Sequence, residues 1–337
     1  MDRVGCRDTD VNYAAFLLVA LAALRLGAAD AASPPCRNDA GLTLPRGFCA
    51  SVFADDIGHA RHLVVAPDNV VYVNTWGGRH YHYDRPNDAP VLAALRDASG
   101  GGRAEVVRRF GRTPAEGAAG GTGIALYRGA LYVEESDRIE RYVLTPGSIV
   151  PRGDPEVVVS GPPLNGDHPM HPFAINADGD LLVDVASATN SCQERNRQLR
   201  SPGHSPCTEL ETRGGIWRFD ANRRGQLFSA AARFATGIRN ADGIAIDGSG
   251  HGLYATQHGR DQLHENWPAL YQPEEEATLP AEELLRVRAG GDFGWPECYF
   301  DDRQDRLVLA PEYGGDGGRT IGRCASKQAP IAAFPAH

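Results

Sequence analysis

The segment TGIALYRGALYVEES, residues 122–136, contains two short apolar runs on either side of an Arg-Gly turn. Alternating apolar residues around a two-residue turn are typical of a β-hairpin. Three further segments share this pattern: HLVVAPDNVVYVNTW at 62–76, HPFAINADGDLLVDV at 171–185 and DGIAIDGSGHGLYAT at 242–256. The sequence therefore predicts four hairpins in series.

The spacing of the hairpins indicates how they are arranged. The central residues of the second runs, Tyr72, Tyr132, Leu182 and Tyr254, lie 60, 50 and 72 residues apart. Repeats of roughly 40–50 residues built from short strands are typical of β-propeller blades, and the longer spacings leave room for inserted loops. A β-sandwich is the competing all-β fold, but four similar hairpins in series favour a radial array. The 39 glycines and 23 prolines agree with many turns and short strands.

Charge and motif content exclude some functions. The chain has 43 Asp and Glu against 34 Lys and Arg, a net charge of -9, so we expect no nucleic-acid partner. The glycine-rich runs at 100–102, 120–121 and 314–315 do not match a nucleotide-binding loop. Neither G-x-S-x-G nor H-E-x-x-H is present.

The N-terminus has the features of a secretory signal. Residues 14–24, AAFLLVALAAL, form an apolar run of 11, whereas a membrane span needs roughly 20. Ala29-Asp30-Ala31 matches an A-x-A cleavage site. We predict a signal peptide over 1–31 and one domain over 32–337, periplasmic or secreted, with no membrane span after cleavage. The acidic residues before the run are unusual for a signal, and a buried helix is the alternative.

The cysteines agree with an oxidising compartment. Six remain after residue 31, and they fall into three local couples: Cys36 and Cys49, Cys192 and Cys207, Cys298 and Cys324. Local pairing is the simplest of the 15 possible connectivities. Free buried thiols are the alternative, and a zinc site is disfavoured because no C-x-x-C occurs.

Polar residues cluster at the ends of the predicted hairpins. Asp167-His168 precedes the third, and a histidine beside a carboxylate can act as a general base. With His171 it would instead form an H-x-x-H metal pair. Arg239-Asn240 precedes the fourth and would suit stabilisation of developing negative charge. Gly259-Arg260 follows it, where close backbone approach would let carbonyls reach Ca²⁺. Solvated loop side chains are the alternative reading.

The motifs together carry a family resemblance. The segments GIRNADGIAID, LYATQHGRDQL and LPAEELLRVRAGGDFGWP, within residues 237–296, resemble the soluble quinoprotein glucose/sorbosone dehydrogenases, and the sorbosone dehydrogenase-like branch fits best. Residues 47–76 and 167–192 fit the same branch. The resemblance extends over roughly residues 40–337.

The resemblance implies a fold and a chemistry. The family is a six-bladed β-propeller that binds pyrroloquinoline quinone (PQQ) and Ca²⁺ and oxidises sugars or sugar-derived aldehydes, passing hydride to the quinone and electrons to an external acceptor. By position, His168 matches its general base and Asp167 the residue that orients it. Arg239 and Asn240 match its quinone contacts, with Arg239 also stabilising charge. Gly259 and Arg260 match the carbonyls that hold the cofactor Ca²⁺, and Glu283 matches a ligand of a second Ca²⁺.

Two departures from the family qualify this prediction. Ala241 stands where the family usually has proline. The phrase AAFPAH at 332–337 lies upstream of the last blade in relatives, so we expect about five blades, a missing last blade and weak activity. The alternatives are a non-catalytic secreted binding propeller and a metal-dependent, lactonase-type propeller hydrolase.

Overall fold

The structure, a computed structural model, describes residues 40–76, 89–113 and 120–336. The chain forms two compact units, Met1–Ser51 and Val52–His337. In the described part of the first unit, residues 40–51, there is no helix or strand, and the Phe48 amide donates to the Pro45 carbonyl at 3.1 Å. The predicted signal peptide lies outside the described residues.

The second unit consists mainly of short strands. The first eleven are β1 (His59–Val65), β2 (Val71–Trp76), β3 (Leu92–Arg96), β4 (Val106–Phe110), β5 (Ile124–Tyr127), β6 (Ala130–Glu135), β7 (Arg138–Val143), β8 (Glu156–Ser160), β9 (Phe173–Ile175), β10 (Asp180–Val185) and β11 (Gly215–Asp220). The others are β12 (Gln226–Leu227), β13 (Arg233–Thr236), β14 (Gly243–Ile246), β15 (Leu253–Gln257), β16 (Glu282–Val287), β17 (Cys298–Asp301), β18 (Arg306–Leu309) and β19 (Ala332–Phe334). The helices are single turns: α1 (Leu263–Asn266), α2 (Pro273–Glu276) and 3₁₀ turns at Thr208–Glu211, Ala230–Ala232, Pro311–Tyr313 and Gly322–Ser326.

Four sheets follow one another along the chain. They have the strand orders β1-β2-β3-β4, β12-β8-β7-β6-β5, β13-β11-β10-β9 and β14-β15-β16-β19. The four predicted hairpins are confirmed as β1–β2, β5–β6, β9–β10 and β14–β15, all antiparallel. In the second hairpin Arg128 and Gly129 both have positive φ, 45° and 72°, as a two-residue hairpin turn of this type requires.

The sheets pack face to face in sequence, which gives a propeller-like arrangement. Strand β1 contacts β5, β5 contacts β9, and β9 contacts β14, so the first strands of the four sheets lie side by side. Successive residues of one strand serve different cores: Leu131 packs between the first and second sheets, and Tyr132 packs between the second and third. Because side chains alternate across a strand, both faces of the inner sheets are buried. The all-β class is therefore confirmed.

The expected count of about five blades is wrong for the described residues, which contain four sheets of four or five strands. The strands that follow the GGDFGWP motif, β17 and β18, form a separate two-stranded sheet. Strand β19 then returns to pair with β16, with Glu282 opposite Phe334. The segment after GGDFGWP is thus an insertion in the fourth sheet. The sequence pattern did not indicate it, because β16 and β19 pair across about 50 residues of chain.

Two of the three predicted disulfides are confirmed. Cys192 is bonded to Cys207 and closes a loop between β10 and β11, and Cys298 is bonded to Cys324 within the insertion. The remaining prediction involves Cys36, which lies outside the described residues. In the part of the chain that the structure describes, no helix has the length and apolar character of a membrane span.

Candidate functional site

A cavity of about 470 Å³ lies at the edge of the third and fourth sheets where their hairpins open. Loops before β9 and β14 and loops after β10 and β15 supply most of its wall, because an antiparallel hairpin brings its two open ends to one edge. Its lining residues are Arg61, Gly166, Asp167, His168, Met170, Arg197, Arg239, Asn240, Asp242, His258 and Asp261. Its volume is within the range of small-molecule sites, roughly 300–1,000 Å³.

The His168 ring is held by the loop after β10. Its Nδ1 lies 2.9 Å from the Ser187 carbonyl oxygen and 3.1 Å from Ser187 Oγ. Since a carbonyl only accepts, Nδ1 carries the proton and Nε2 keeps its lone pair. Burial lowers the pKa of His168 to about 4, and the positive charge of Arg239 acts in the same direction. His168 is therefore a neutral imidazole at neutral pH.

The Asp167 carboxylate has other partners. It accepts hydrogen bonds from Asn196 Nδ2 at 3.1 and 3.3 Å and from Arg197 Nε at 2.9 Å. The Nδ1 of His168 bonds to Ser187 and not to Asp167. Asp167 affects the imidazole only through its charge, which favours protonation. The loop that carries Asn196 and Arg197 is about 30 residues away in sequence, so no local motif indicates these partners of Asp167.

Arg239 is a fixed, buried cation. Its side chain is 3% exposed. Nε donates to the Asn190 carbonyl at 3.0 Å, and Nη1 donates to the Gly259 carbonyl at 2.8 Å. Nη2 donates to Asn190 Oδ1 at 3.0 Å and to Asp261 Oδ2 at 2.9 Å. These bonds use four of the five N–H groups, so one N–H on Nη1 remains for a ligand.

Gly259 and Arg260 lie at a second, much smaller cavity of about 20 Å³, whose wall shares Arg239 and His258 with the larger one. A Cβ at Gly259 would come within 2.9 Å of the Ala281 carbonyl oxygen, so only glycine fits there. The side chain of Arg260 turns inward and its Nη1 lies 2.9 Å from Glu312 Oε1. The predicted pair therefore adjoins the larger cavity, and does not line it.

Glu283 also faces the small cavity. It is 4% exposed, and its Oε2 has no hydrogen-bond partner. Burial raises the pKa of this carboxyl to about 8. The structure thus separates Glu283 from Asp167 and His168 while it brings Asp167, His168, Arg239 and Asn240 together.

His171 does not take part in the cavity. It is 1% exposed, its Nδ1 lies 3.2 Å from Glu134 Oε1, and its Nε2 lies 3.1 Å from the Pro163 carbonyl. Both ring nitrogens are engaged, so the alternative of a His168–His171 metal pair is wrong. Among the residues described, no group of three or more His, Cys, Asp or Glu is placed to hold a metal ion.

The sequence analysis did not identify several residues of the cavity: Arg61, Arg197, Asp242, His258 and Asp261. Arg61 comes from the first sheet and Arg197 from the disulfide-closed loop, so no local motif marks either. Asp261 directly follows the predicted Gly259-Arg260 pair, and Asp242 lies two residues after Asn240, so both are close in sequence to predicted residues.

The fold and site define a propeller-like protein with a charged cavity at one end of its sheets. Neither a protein-family model nor a curated protein matches the sequence. Solved structures with the same fold include a Trichoderma reesei enzyme of carbohydrate-active family AA12, at 17% identity and a TM-score of 0.63 over 85% of this chain and 70% of that one. Other solved structures with this fold include sugar dehydrogenases.

Two of these neighbours are PQQ proteins. The holo PQQ domain of pyranose dehydrogenase from Coprinopsis cinerea has 15% identity and a TM-score of 0.63, covering 85% of this chain and 67% of that one. The PQQ-bound aldose sugar dehydrogenase of Streptomyces coelicolor has 18% identity and a TM-score of 0.52, covering 85% and 70%. At these identities the likeness establishes the shared fold.

Proposed function

We propose that this protein belongs to the soluble quinoprotein glucose/sorbosone dehydrogenases and oxidises a sugar or sugar-derived aldehyde with PQQ and Ca²⁺, in the periplasm or outside the cell. One observation carries the proposal: Asp167, His168, Arg239 and Asn240, from distant parts of the chain, line a single cavity. Neighbours of the same fold are PQQ-bound sugar dehydrogenases, which agrees with this assignment. We further propose the six-bladed propeller of that family as the fold, with electrons passing to an external acceptor.

The donor set of the cavity fits an anionic quinone. PQQ carries three carboxylates, and guanidinium groups form charge-assisted hydrogen bonds with carboxylates. The cavity presents Arg61, Arg197 and Arg239, and Arg239 keeps one N–H on Nη1. Its volume of about 470 Å³ has room for both a tricyclic cofactor and part of a sugar. We assign Arg239 and Asn240 to the quinone.

The calcium assignments rest on oxygen ligands. Ca²⁺ binds carboxylates and backbone carbonyls. The Gly259 carbonyl accepts one bond from Arg239 and has a second lone pair, so we propose that the carbonyls of Gly259 and Arg260 hold the cofactor Ca²⁺. Glu283 has a buried carboxylate oxygen without a partner, which suits a ligand of a second Ca²⁺. A calcium structure is known for the Trichoderma reesei neighbour.

The residues of this chain would prepare and move a proton. When bound, PQQ supplies the hydride acceptor and Ca²⁺ supplies Lewis acidity. His168 takes the substrate hydroxyl proton at Nε2, because Ser187 keeps the other proton on Nδ1. Arg239 stabilises the negative charge that develops during the transfer, and its existing bonds hold it in place without reorganisation.

Reconstitution of the purified protein with PQQ and Ca²⁺ tests the proposal. We expect dye reduction by a panel of sugars and aldehydes that requires both additions. His168→Asn should lower the rate by roughly 10²–10⁴-fold. His251→Asn is the matched control, since His251 is exposed on a hairpin turn and should leave the rate unchanged. Dye reduction without PQQ, or a His168→Asn rate within about threefold of the parent, would refute the proposal.

A further inference from the structure

We propose that Arg197, assisted by Asn196, is a positioning residue that keeps the Asp167 carboxylate away from the His168 imidazole, so that His168 stays a neutral base over a wide pH range. The role of His168 as a base rests on the proposed function above. The arrangement of the four side chains does not, and it can be tested without any cofactor.

The Arg197 guanidinium bridges two carboxylates of the cavity. Its Nε donates to Asp167 Oδ2 at 2.9 Å, and its Nη2 lies 2.8 Å from Asp261 Oδ2. Asp261 Oδ2 is also 2.9 Å from Arg239 Nη2. Asp167, Arg197, Asp261 and Arg239 thus form an alternating chain of ion pairs. Asp167 lies at one end of this series of ion pairs, so Arg197 neutralises its charge although His168 is its neighbour in sequence.

Hydrogen bonds and a disulfide fix the loop that carries Arg197. The Arg197 amide donates to Gln193 Oε1 at 2.9 Å, and Asn196 Oδ1 accepts from the Asn190 amide at 3.0 Å. The Cys192–Cys207 disulfide closes the loop that carries both residues. Nη1 of Arg197 adds a bond to Gln262 Oε1 at 3.2 Å. These contacts fix the Arg197 side chain, and Arg197 in turn holds the Asp167 carboxylate away from His168.

The charged groups that face His168 come from three elements. Arg239, before β14, opposes protonation, whereas Asp167, before β9, and Asp261, after β15, favour it. Ser187, after β10, bonds Nδ1 in either protonation state. Burial, reinforced by Arg239, holds the pKa of His168 down at about 4. Release of Asp167 from Arg197 would let the carboxylate stabilise the imidazolium, and the pKa would rise.

NMR titration of His168 in the full chain tests the inference, with the His168 resonance assigned from its loss in His168→Gln. We expect Arg197→Gln to raise the pKa of His168 by at least about one pH unit, the effect typical of a freed opposite charge nearby. Arg195→Gln is the matched control: it removes the same charge from the same loop at an exposed position and should leave the titration unchanged. Arg197→Lys should give an intermediate value.

A second pair of variants separates this mechanism from general loosening of the loop. Adding Asp167→Asn to Arg197→Gln should return the pKa toward the parent value, because the released carboxylate is gone. Asp167→Asn alone, which does not depend on Arg197→Gln folding, should change the pKa of His168 by less than about half a pH unit, since Arg197 already neutralises that carboxylate. A fall of one unit or more in that variant would overturn the inference, as would an unchanged titration in folded Arg197→Gln.

Kinetics give a readout that a purely structural role would not produce. In reconstituted Arg197→Gln the acid limb of the kcat/KM profile should move to higher pH relative to its own plateau. A uniform loss at every pH would contradict the inference. If no variant, including the parent, reduces the dye with PQQ and Ca²⁺, the proposed function fails while the NMR titrations still decide the role of Arg197.

Discussion

His168 and His171 are three residues apart and occupy opposite environments. His168 lines the cavity, bonds through one nitrogen to Ser187 and has its pKa lowered to about 4 by burial and by Arg239. His171 is enclosed between the second and third sheets, with acceptors at both ring nitrogens. Both ring nitrogens of His171 are therefore engaged within the protein.

The difference shows what decides the role of a histidine in this fold. Glu134 lies on β6 of the second sheet, and its carboxylate also accepts the amides of Thr122, Gly123 and His171. Burial raises the pKa of Glu134, but the bonds from His171 and from these amides outweigh burial, so the net pKa is lowered. His171 thus belongs to a structural hydrogen-bonded pair with Glu134 that joins two sheets, while His168 lines the cavity.

The sharpest way to break this comparison is His171→Gln. It removes the ring that bonds the buried Glu134 carboxylate, and a buried carboxylate that loses its partner typically costs about 3–5 kcal/mol. Urea unfolding at pH 7 should show a loss of this size. His168→Gln should cost less than about 1 kcal/mol at the same pH, because a glutamine amide can also donate to the Ser187 carbonyl. Equal losses in the two variants would refute the distinction.

The pH dependence of folding stability tests the environment of His168. The pKa of His168 is lower in the folded protein, about 4, than its ordinary value of 6.5. As pH falls below 6.5 the unfolded chain binds this proton first, so folding stability should decline by up to about 3 kcal/mol by pH 4. Glu134 acts in the same direction but at lower pH: its stabilisation is lost as pH falls below 4.5, through its lowered pKa.

Unfolding free energies of the parent and His168→Gln at pH 7, 6 and 5 measure this term. The parent should lose more stability than the variant over that interval, because only the parent carries the imidazole. Equal pH slopes would show that His168 is not held neutral in the folded state.

The smallest expected loss of stability concerns the hydrogen bond between Asp184 and the Ala241 amide. Asp184 is completely buried, which raises its pKa well above normal, and the nearby charges of Asp242 and Glu134 act in the same direction. Its Oδ2 accepts the Ala241 amide at 3.2 Å. Ala241→Pro removes that N–H and should cost roughly 1–3 kcal/mol, measured by urea unfolding.

Asp184→Asn is the control for Ala241→Pro. It keeps an acceptor for the Ala241 amide and should stay within about 1 kcal/mol of the parent. A fully stable Ala241→Pro protein would show that this hydrogen bond does not support the Arg239–Asp242 segment, and that the proline usual in the family would serve equally well here.

The parts of the fold that depend on neighbouring residues were predictable. Each hairpin is specified by alternation and by a turn such as Arg128-Gly129, and Asp167, His168, Arg239 and Asn240 lie directly beside those hairpins. Their convergence follows once the hairpins are stacked in series. The two described disulfides were predictable for the same reason, since their cysteines are 15 and 26 residues apart.

The parts that depend on distant pairings were not predictable. The return of β19 to β16 changes the blade count, and no short motif signals it. The partners of Asp167 come from a loop about 30 residues away, and Glu134, which fixes His171, is 37 residues from it. Charge compensation in a buried site is a property of the assembled fold, so adjacent residues such as Asp167 and His168 need not interact.

Strand β12 illustrates one further property of the fold. It belongs to the stretch of chain between β11 and β13 of the third sheet, yet it pairs in parallel with β8 at the outer edge of the second, with Gln226 opposite Val159. The third sheet therefore supplies the cover for a free edge of its neighbour, an edge that would otherwise offer itself to other chains. Separation of the two sheets would therefore require the hydrogen bonds between β12 and β8 to break, so the second and third sheets are mechanically coupled.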